Sequence, residues 1–132
     1  MARILAIDDD EAIRLVLRDA LMREGHQVYV ARNGEEALKL LEDHPCELVI
    51  TDIVMPGKEG IETIVELRRS HPEVRIIALS GAGSGGGDDY LRFAEKLGAM
   101  RTLAKPMRIS DLREVVNQCL ACERPEGVRP SH

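Results

Sequence analysis

Aromatic side chains are nearly absent: the 132 residues include one Phe, two Tyr and no Trp. A core with so few rings has to be aliphatic, and stacking platforms for single-stranded nucleic acid are excluded along with them. Also missing is any apolar run approaching the ~20 residues of a membrane span. Positive charge is in deficit, with 18 Lys and Arg against 23 Asp and Glu and a net charge of −5. That balance argues against polyanions and anionic membrane surfaces as partners, so neither direct nucleic-acid binding nor membrane contact is expected. Cysteine is sparse and odd in number (Cys46, Cys119, Cys122). The C-x-x-C spacing of Cys119 and Cys122 lacks the second pair that a zinc site needs, and Cys119 falls on the apolar face of a helix, so packing is its predicted role. The first residues, Met1 to Leu5, run at once into a patterned strand with no signal peptide ahead of it, and a cytoplasmic location is expected.

What the chain does have is 44% hydrophobic and 31% charged residues, the mixture of one soluble globular domain. Five short apolar runs read as strands: Arg3 to Ile7, Gln27 to Ala31, Glu47 to Thr51, Val74 to Leu79 and Arg101 to Ala104. Runs such as Leu48-Val49-Ile50 and Ile76-Ile77-Ala78-Leu79 are apolar on consecutive residues, which suits strands covered on both faces. Helical periodicity fills the gaps. The first helix carries Ala12, Ile13, Val16, Leu17, Ala20 and Leu21 and is closed by Gly25. The second opens on a capping box, Asn33 with Glu36. The third packs Ile61, Ile64, Val65 and Leu67 and ends before Pro72. A fourth begins near Asp88, turns Leu91, Ala94 and Leu97 inward and stops at Gly98. The fifth starts at Ser110 as N-cap, with Leu112, Val115, Val116, Cys119 and Leu120 inside. Strict alternation with short connections predicts an α/β, doubly wound parallel sheet of five strands with five helices on its two faces. Residues 1–122 form the expected domain, and residues 123–132, without apolar periodicity, a flexible tail.

In such a sheet, ligands bind beyond the carboxyl ends of the strands, where the strand order reverses. Ile7 runs into Asp8-Asp9-Asp10, Thr51 into Asp52, Leu79 into Ser80 and Ala104 into Lys105. With a strand order of 2-1-3-4-5, the first and third strands are neighbours at the switch point, and Asp8, Asp9 and Asp52 crowd together. Carboxylates that close repel one another unless a cation intervenes. Mg2+ suits an open set of one or two carboxylates completed by water and phosphate oxygens. Singly, each residue has a plainer role: an Asp after a strand caps the next helix, with Asp10 the best placed, and a Lys before Pro or a lone Ser serves a turn. Gathered at one sheet edge, they predict a metal site open toward phosphate.

Over roughly residues 2 to 121 the sequence resembles the receiver domain of two-component response regulators. The resemblance lies in Ile4-Leu5-Ala6-Ile7-Asp8-Asp9-Asp10-Glu11, Leu48-Val49-Ile50-Thr51-Asp52-Ile53-Val54-Met55-Pro56-Gly57 with Gly60, Ile76-Ile77-Ala78-Leu79-Ser80-Gly81 and Ala104-Lys105-Pro106. The resemblance implies a flavodoxin-like fold and a phosphoacceptor, not a conventional enzyme. It makes Asp52 the aspartate phosphorylated by a histidine kinase or histidine phosphotransfer protein. Asp8 and Asp9, the backbone carbonyl of Val54 and Asp52 itself would hold Mg2+, while Ser80 and Lys105 would bind the phosphoryl group.

Thr102 stands where many of these domains carry a Tyr or Phe that swings inward, so a readout through the loop after Ser80 is expected instead. That loop, Gly81 to Gly87, contains G-x-G-x-x-G, but on the fourth strand and without the acidic residue that dinucleotide binding requires. Asp8-x-Asp10 is also similar to the motif of haloacid-dehalogenase-type phosphatases, although Glu11 follows where Thr or Val is expected. A receiver cut from a larger regulator is the nearer alternative. Gly98 to Thr102 lacks the acidic pair that DNA-binding members use for dimer salt bridges, so a monomer or weak dimer that signals to an unidentified protein partner is expected.

Overall fold

The computed structural model describes residues 2–53, 59–80, 96, 99–105 and 107–121. The apolar runs form five parallel strands: β1 (Arg3–Ile7), β2 (Gln27–Ala31), β3 (Leu48–Asp52), β4 (Arg75–Ser80) and β5 (Arg101–Ala104). Their order in the sheet is β2-β1-β3-β4-β5, as expected. Both β3 and β4 run one residue later than predicted, so Asp52 and Ser80 close their strands instead of following them.

The expected count of five helices needs correction. Among the described residues there are four: α1 (Glu11–Arg23), α2 (Gly34–Asp43), α3 (Glu59–Ser70) and α4 (Ile109–Ala121). The helix predicted from near Asp88 to Gly98 lies almost wholly outside the described residues, as do the tail, Cys122, Val54 and the glycine-rich loop.

Successive side chains of a strand point to opposite faces, and this alternation divides the core. On one face Leu5, Ile7, Val49 and Ile76 pack with Ala37 and Leu41 of α2 and Ile64 and Leu67 of α3. On the other, Ile4, Ala6, Ile50 and Ile77 pack with Leu17 and Leu21 of α1 and Leu112, Val116 and Cys119 of α4. Cys119 is thus a core residue, 1% exposed, in keeping with the packing role predicted for it. The central strands β1, β3 and β4 are buried nearly throughout, whereas the edges β2 and β5 are only half-covered.

Helix boundaries follow local chemistry. Asp10 caps α1, its Oδ1 accepting from the N–H groups of Ala12 (2.8 Å) and Ile13 (3.4 Å). At the other end Gly25, at φ 90°, closes the helix. Its N–H donates to the carbonyl of Met22 and that of His26 to the carbonyl of Leu21, a Schellman closure that a residue with a Cβ would strain. The capping box of α2 is displaced by one residue. Asn33 Oδ1 accepts from Glu36 N–H (2.8 Å), but Glu36 reaches back to the N–H of Arg32 instead of Asn33. Similarly, α4 starts at Ile109, which puts Ser110 inside the first turn. Val16 and Val65, which share the apolar periodicity of their helices, are nonetheless 54% and 47% exposed.

Asp10→Ala is expected to lower stability by about 1 kcal/mol, since two backbone donors lose their acceptor. A urea melt reads this as a lower midpoint at unchanged slope. An unshifted midpoint would mean that the carboxylate does not cap α1 in solution.

Candidate functional site

Register brings the site residues together. Ile7 of β1 pairs with Thr51 of β3, so Asp8 and Asp52 emerge side by side from adjacent strands. Leu79 of β4 pairs with Asp52, which delivers Ser80 to the same edge. Ser80 in turn pairs with Ala104 of β5, and the N–H of Lys105 donates to the Ser80 carbonyl at 2.7 Å. Three parallel pairings, anchored by the buried aliphatic side chains of β1, β3 and β4, thus converge four polar residues from distant parts of the chain.

Lys105 Nζ bridges the two buried carboxylates, 2.6 Å from Asp8 Oδ2 and 2.8 Å from Asp52 Oδ2. Asp8 is fully buried, and the side chains of Asp52 and Lys105 are 6% and 14% exposed. Burial pushes the Asp8 carboxyl above its ordinary value, against the hydrogen bonds it accepts from Lys105 and from the Asp10 N–H. For Lys105 burial pulls the other way, but the bonds to Asp52 and Asp8 more than offset it, and its ammonium titrates higher than an ordinary lysine. Asp9, which is exposed, completes a cluster with Asp8 and Asp52 in which one carboxylate oxygen from each lies within 4.8 Å of the others.

Three clustered carboxylates, two of them paired with one ammonium, leave two negative charges unmatched, the charge of one divalent cation. The donor set is all oxygen and open on the Asp9 side, which fits Mg2+ better than a closed cage or a soft metal. A second feature fits a ligand with acceptor oxygens. Ser80 is 2% exposed, and its Oγ has no hydrogen-bond partner among the described residues. A buried hydroxyl without a partner is costly, by about 1–3 kcal/mol, unless something supplies one.

All three carboxylates, Ser80 and Lys105 therefore meet at one sheet edge, as the sequence predicts. Val54 lies outside the described residues. Asp10 belongs to the helix cap and not to the cluster, so the Asp8-x-Asp10 pair of a haloacid-dehalogenase-type phosphatase is not formed here. One residue escaped the sequence reading: Arg14, whose Nη1 donates to the Asp8 backbone carbonyl at 2.7 Å. Its only signal was a long cationic side chain four residues after the capping Asp10, next to the inward-facing Ile13.

Comparison with known proteins agrees with this geometry. Residues 4–117 match the response regulator receiver domain family, and the chain belongs to that family. It is 31% identical to the sporulation initiation phosphotransferase F of Bacillus subtilis over 118 residues, 89% of this chain and 93% of that protein. It is 35% identical to the DNA-binding transcriptional regulator NtrC of Azospirillum brasilense, over 98% of this chain but only 26% of that protein. Among solved structures, the receiver domain of NtrX from Brucella abortus superposes with a TM-score of 0.82 at 29% identity, covering 89% of this chain and 97% of that one. Domains of this family are phosphoacceptor signalling modules and not enzymes in the conventional sense. Among the described residues no helix is long and apolar enough to cross a membrane.

Proposed function

We propose that Asp52 accepts a phosphoryl group from the phosphohistidine of a histidine kinase or phosphotransfer protein. Asp8, Asp9 and Asp52, with the backbone carbonyl of Val54, would hold the Mg2+ that this requires. The observation that carries this reading is the Lys105 ammonium set between Asp8 and Asp52, with the Ser80 hydroxyl on the neighbouring strand end buried and without a partner among the described residues.

An Asp52 oxygen attacks phosphorus as the bond to the donor imidazole breaks, and the freed imidazole keeps the electron pair of that bond. Little covalent work falls to the protein, and the barrier is lowered by positioning and by neutralising charge on the equatorial oxygens. When bound, Mg2+ supplies part of that charge. Lys105 supplies the rest by turning its ammonium toward the phosphoryl oxygens, and Ser80 donates its hydroxyl to another.

A protein donor is supported by what lies next to Lys105. An apolar groove of about 220 Å³ runs between α1 and α4, lined by Ala12, Ile13, Val16, Met107 and Ile109 and also by Lys105. Exposed Val16 and Ile109 give a partner helix apolar surface to cover beside the acceptor. We take residues 1–122 as one receiver unit that signals through protein–protein contact. The half-buried Thr102 on edge strand β5 cannot fill an aromatic's volume, which leaves the loop after Ser80 as the route of readout. The free buried thiol of Cys46 suits the reducing cytoplasm.

Incubation with acetyl phosphate and Mg2+, followed by intact mass measurement, tests the reading. The wild-type chain should gain one phosphoryl group, and Asp52→Asn or a chelator should abolish the gain. Peptide mapping that placed the group on Asp8 or Asp9 would overturn it.

A further inference from the structure

The geometry points to Arg14 as a positioning residue for the metal-ligating carboxylates, an inference that rests on the Mg2+ reading above. Asp8 is held at every polar atom it has. Its N–H donates to the Ala31 carbonyl of β2 at 3.1 Å. Its Oδ1 accepts from the Asp10 N–H at 2.9 Å and its Oδ2 from Lys105. Its carbonyl oxygen accepts from Arg14 Nη1 at 2.7 Å, a charge-assisted bond from the half-buried guanidinium of α1.

That carbonyl belongs to the peptide linking Asp8 to Asp9, so the bond fixes the plane from which Asp9 departs. Asp9 is exposed, and side-chain packing does little to aim it. Arg14 aims it through the backbone. The guanidinium is itself anchored, because α1 is seated on the sheet through Leu17, Ala20 and Leu21 and capped by Asp10. Helix, turn and first metal ligand are therefore tied together, and the backbone from which the Asp8 and Asp9 carboxylates depart is set before any ion arrives. Partners that orient metal ligands in this way are worth about 10–100-fold in metal affinity.

The charge of Arg14 works in the opposite direction. A cation this close to the site repels Mg2+, so if Arg14 acted only through its field, its removal would tighten binding. Positioning and electrostatics thus predict changes of opposite sign, and one titration separates them.

The experiment is Mg2+ titration by calorimetry on the full chain, with no phosphodonor present, for wild type, Arg14→Met and Arg14→Lys. Thermal melts in EDTA confirm that each variant is folded at the titration temperature. Arg14→Met, which keeps the stem and loses the donor, is expected to bind Mg2+ about tenfold more weakly. Arg14→Lys, which retains a donor, is expected to lie between Arg14→Met and wild type. At saturating Mg2+ the acetyl phosphate reaction of Arg14→Met should return close to the wild-type rate. Unchanged or tighter binding by Arg14→Met, or Arg14→Lys no better than Arg14→Met, overturns the inference. Failure of the wild-type chain to bind Mg2+ would instead remove the metal reading on which it rests.

Discussion

Lys105→Met is expected to destabilise the metal-free protein by about 3 kcal/mol near neutral pH, the cost of breaking a buried ion pair by removing one partner. Lys105 is the only ammonium in contact with Asp8 and Asp52 among the described residues. Without it, two buried carboxylates at the ends of adjacent strands lose the ammonium that bridges them. Stability shows a definite pH dependence. The folded-state value of Lys105 is raised, so its contribution is complete below the ordinary lysine value and is lost only as pH rises through the folded value. Asp8 is also raised, by burial, so the folded state holds its proton more tightly than the unfolded chain does. Stability from that source is full below the ordinary aspartate value and is lost as pH rises through the folded one. In Lys105→Met the Asp8 carboxyl loses its main charged partner and should hold its proton to still higher pH. The variant's deficit should therefore shrink in mildly acidic buffer. Urea melts in EDTA at neutral and mildly acidic pH measure both deficits. Adding Mg2+ should recover more stability in the variant than in wild type, because the ion no longer competes with an ammonium for the same oxygens. Equal midpoints for the two proteins near neutral pH would show that the bridge does not hold in solution.

Gly34→Ala is expected to cost about 2 kcal/mol, although alanine is the better helix former by about 1 kcal/mol. Gly34 is the first residue of α2, and the reason for glycine there is space. A Cβ on it would press into Thr63 Oγ1 and lie 3.2 Å from Thr63 Cβ. Thr63 is 5% exposed and sits on α3, the helix packed against α2. Neither side can yield easily, since Ile64 beside Thr63 is fully buried in the core. Thr63→Ala removes the colliding oxygen, and the same Gly34→Ala change should then cost much less. A double-mutant cycle by urea melts should give a coupling of about 1–2 kcal/mol. Equal costs in both backgrounds would mean that the helices do not approach this closely.

The sheet was legible because its strands are uninterrupted apolar runs, and a strand's length and burial leave little else for Leu48-Val49-Ile50 or Ile76-Ile77-Ala78-Leu79 to do. The site was legible for a related reason. Asp8, Asp52, Ser80 and Lys105 each interrupt or terminate such a run, and strand order then converts four separate interruptions into one cluster. Helix faces were read less well. Val16 and Val65 obey a 3.6-residue period yet remain exposed, because periodicity marks an apolar stripe and not how far the neighbouring layer extends over it. The contacts of Gly34 with Thr63 and of Arg14 with the Asp8 carbonyl were invisible for another reason. They depend on the separation of two helices and on a backbone atom, neither of which leaves a pattern in side-chain types. The Ser110 cap was misplaced by two residues, because the helix already begins at Ile109 and Arg108 holds the cap position, its carbonyl accepting from the Leu112 N–H.

The burial of the strands divides the site into two mechanical halves. Asp8 and Asp52 are anchored on β1 and β3, in the interior of the sheet, where opening a backbone hydrogen bond requires breaching both core layers. Lys105 hangs from β5, an edge strand of four residues with exposed ends, the kind of segment that opens locally at small cost. The anionic half of the site is thus a fixed plate and the cationic half a tethered arm. Of the two halves, the ammonium is carried on the segment that opens at the smaller local cost, so exchange of the lysine for a metal ion asks more movement of Lys105 than of the carboxylates.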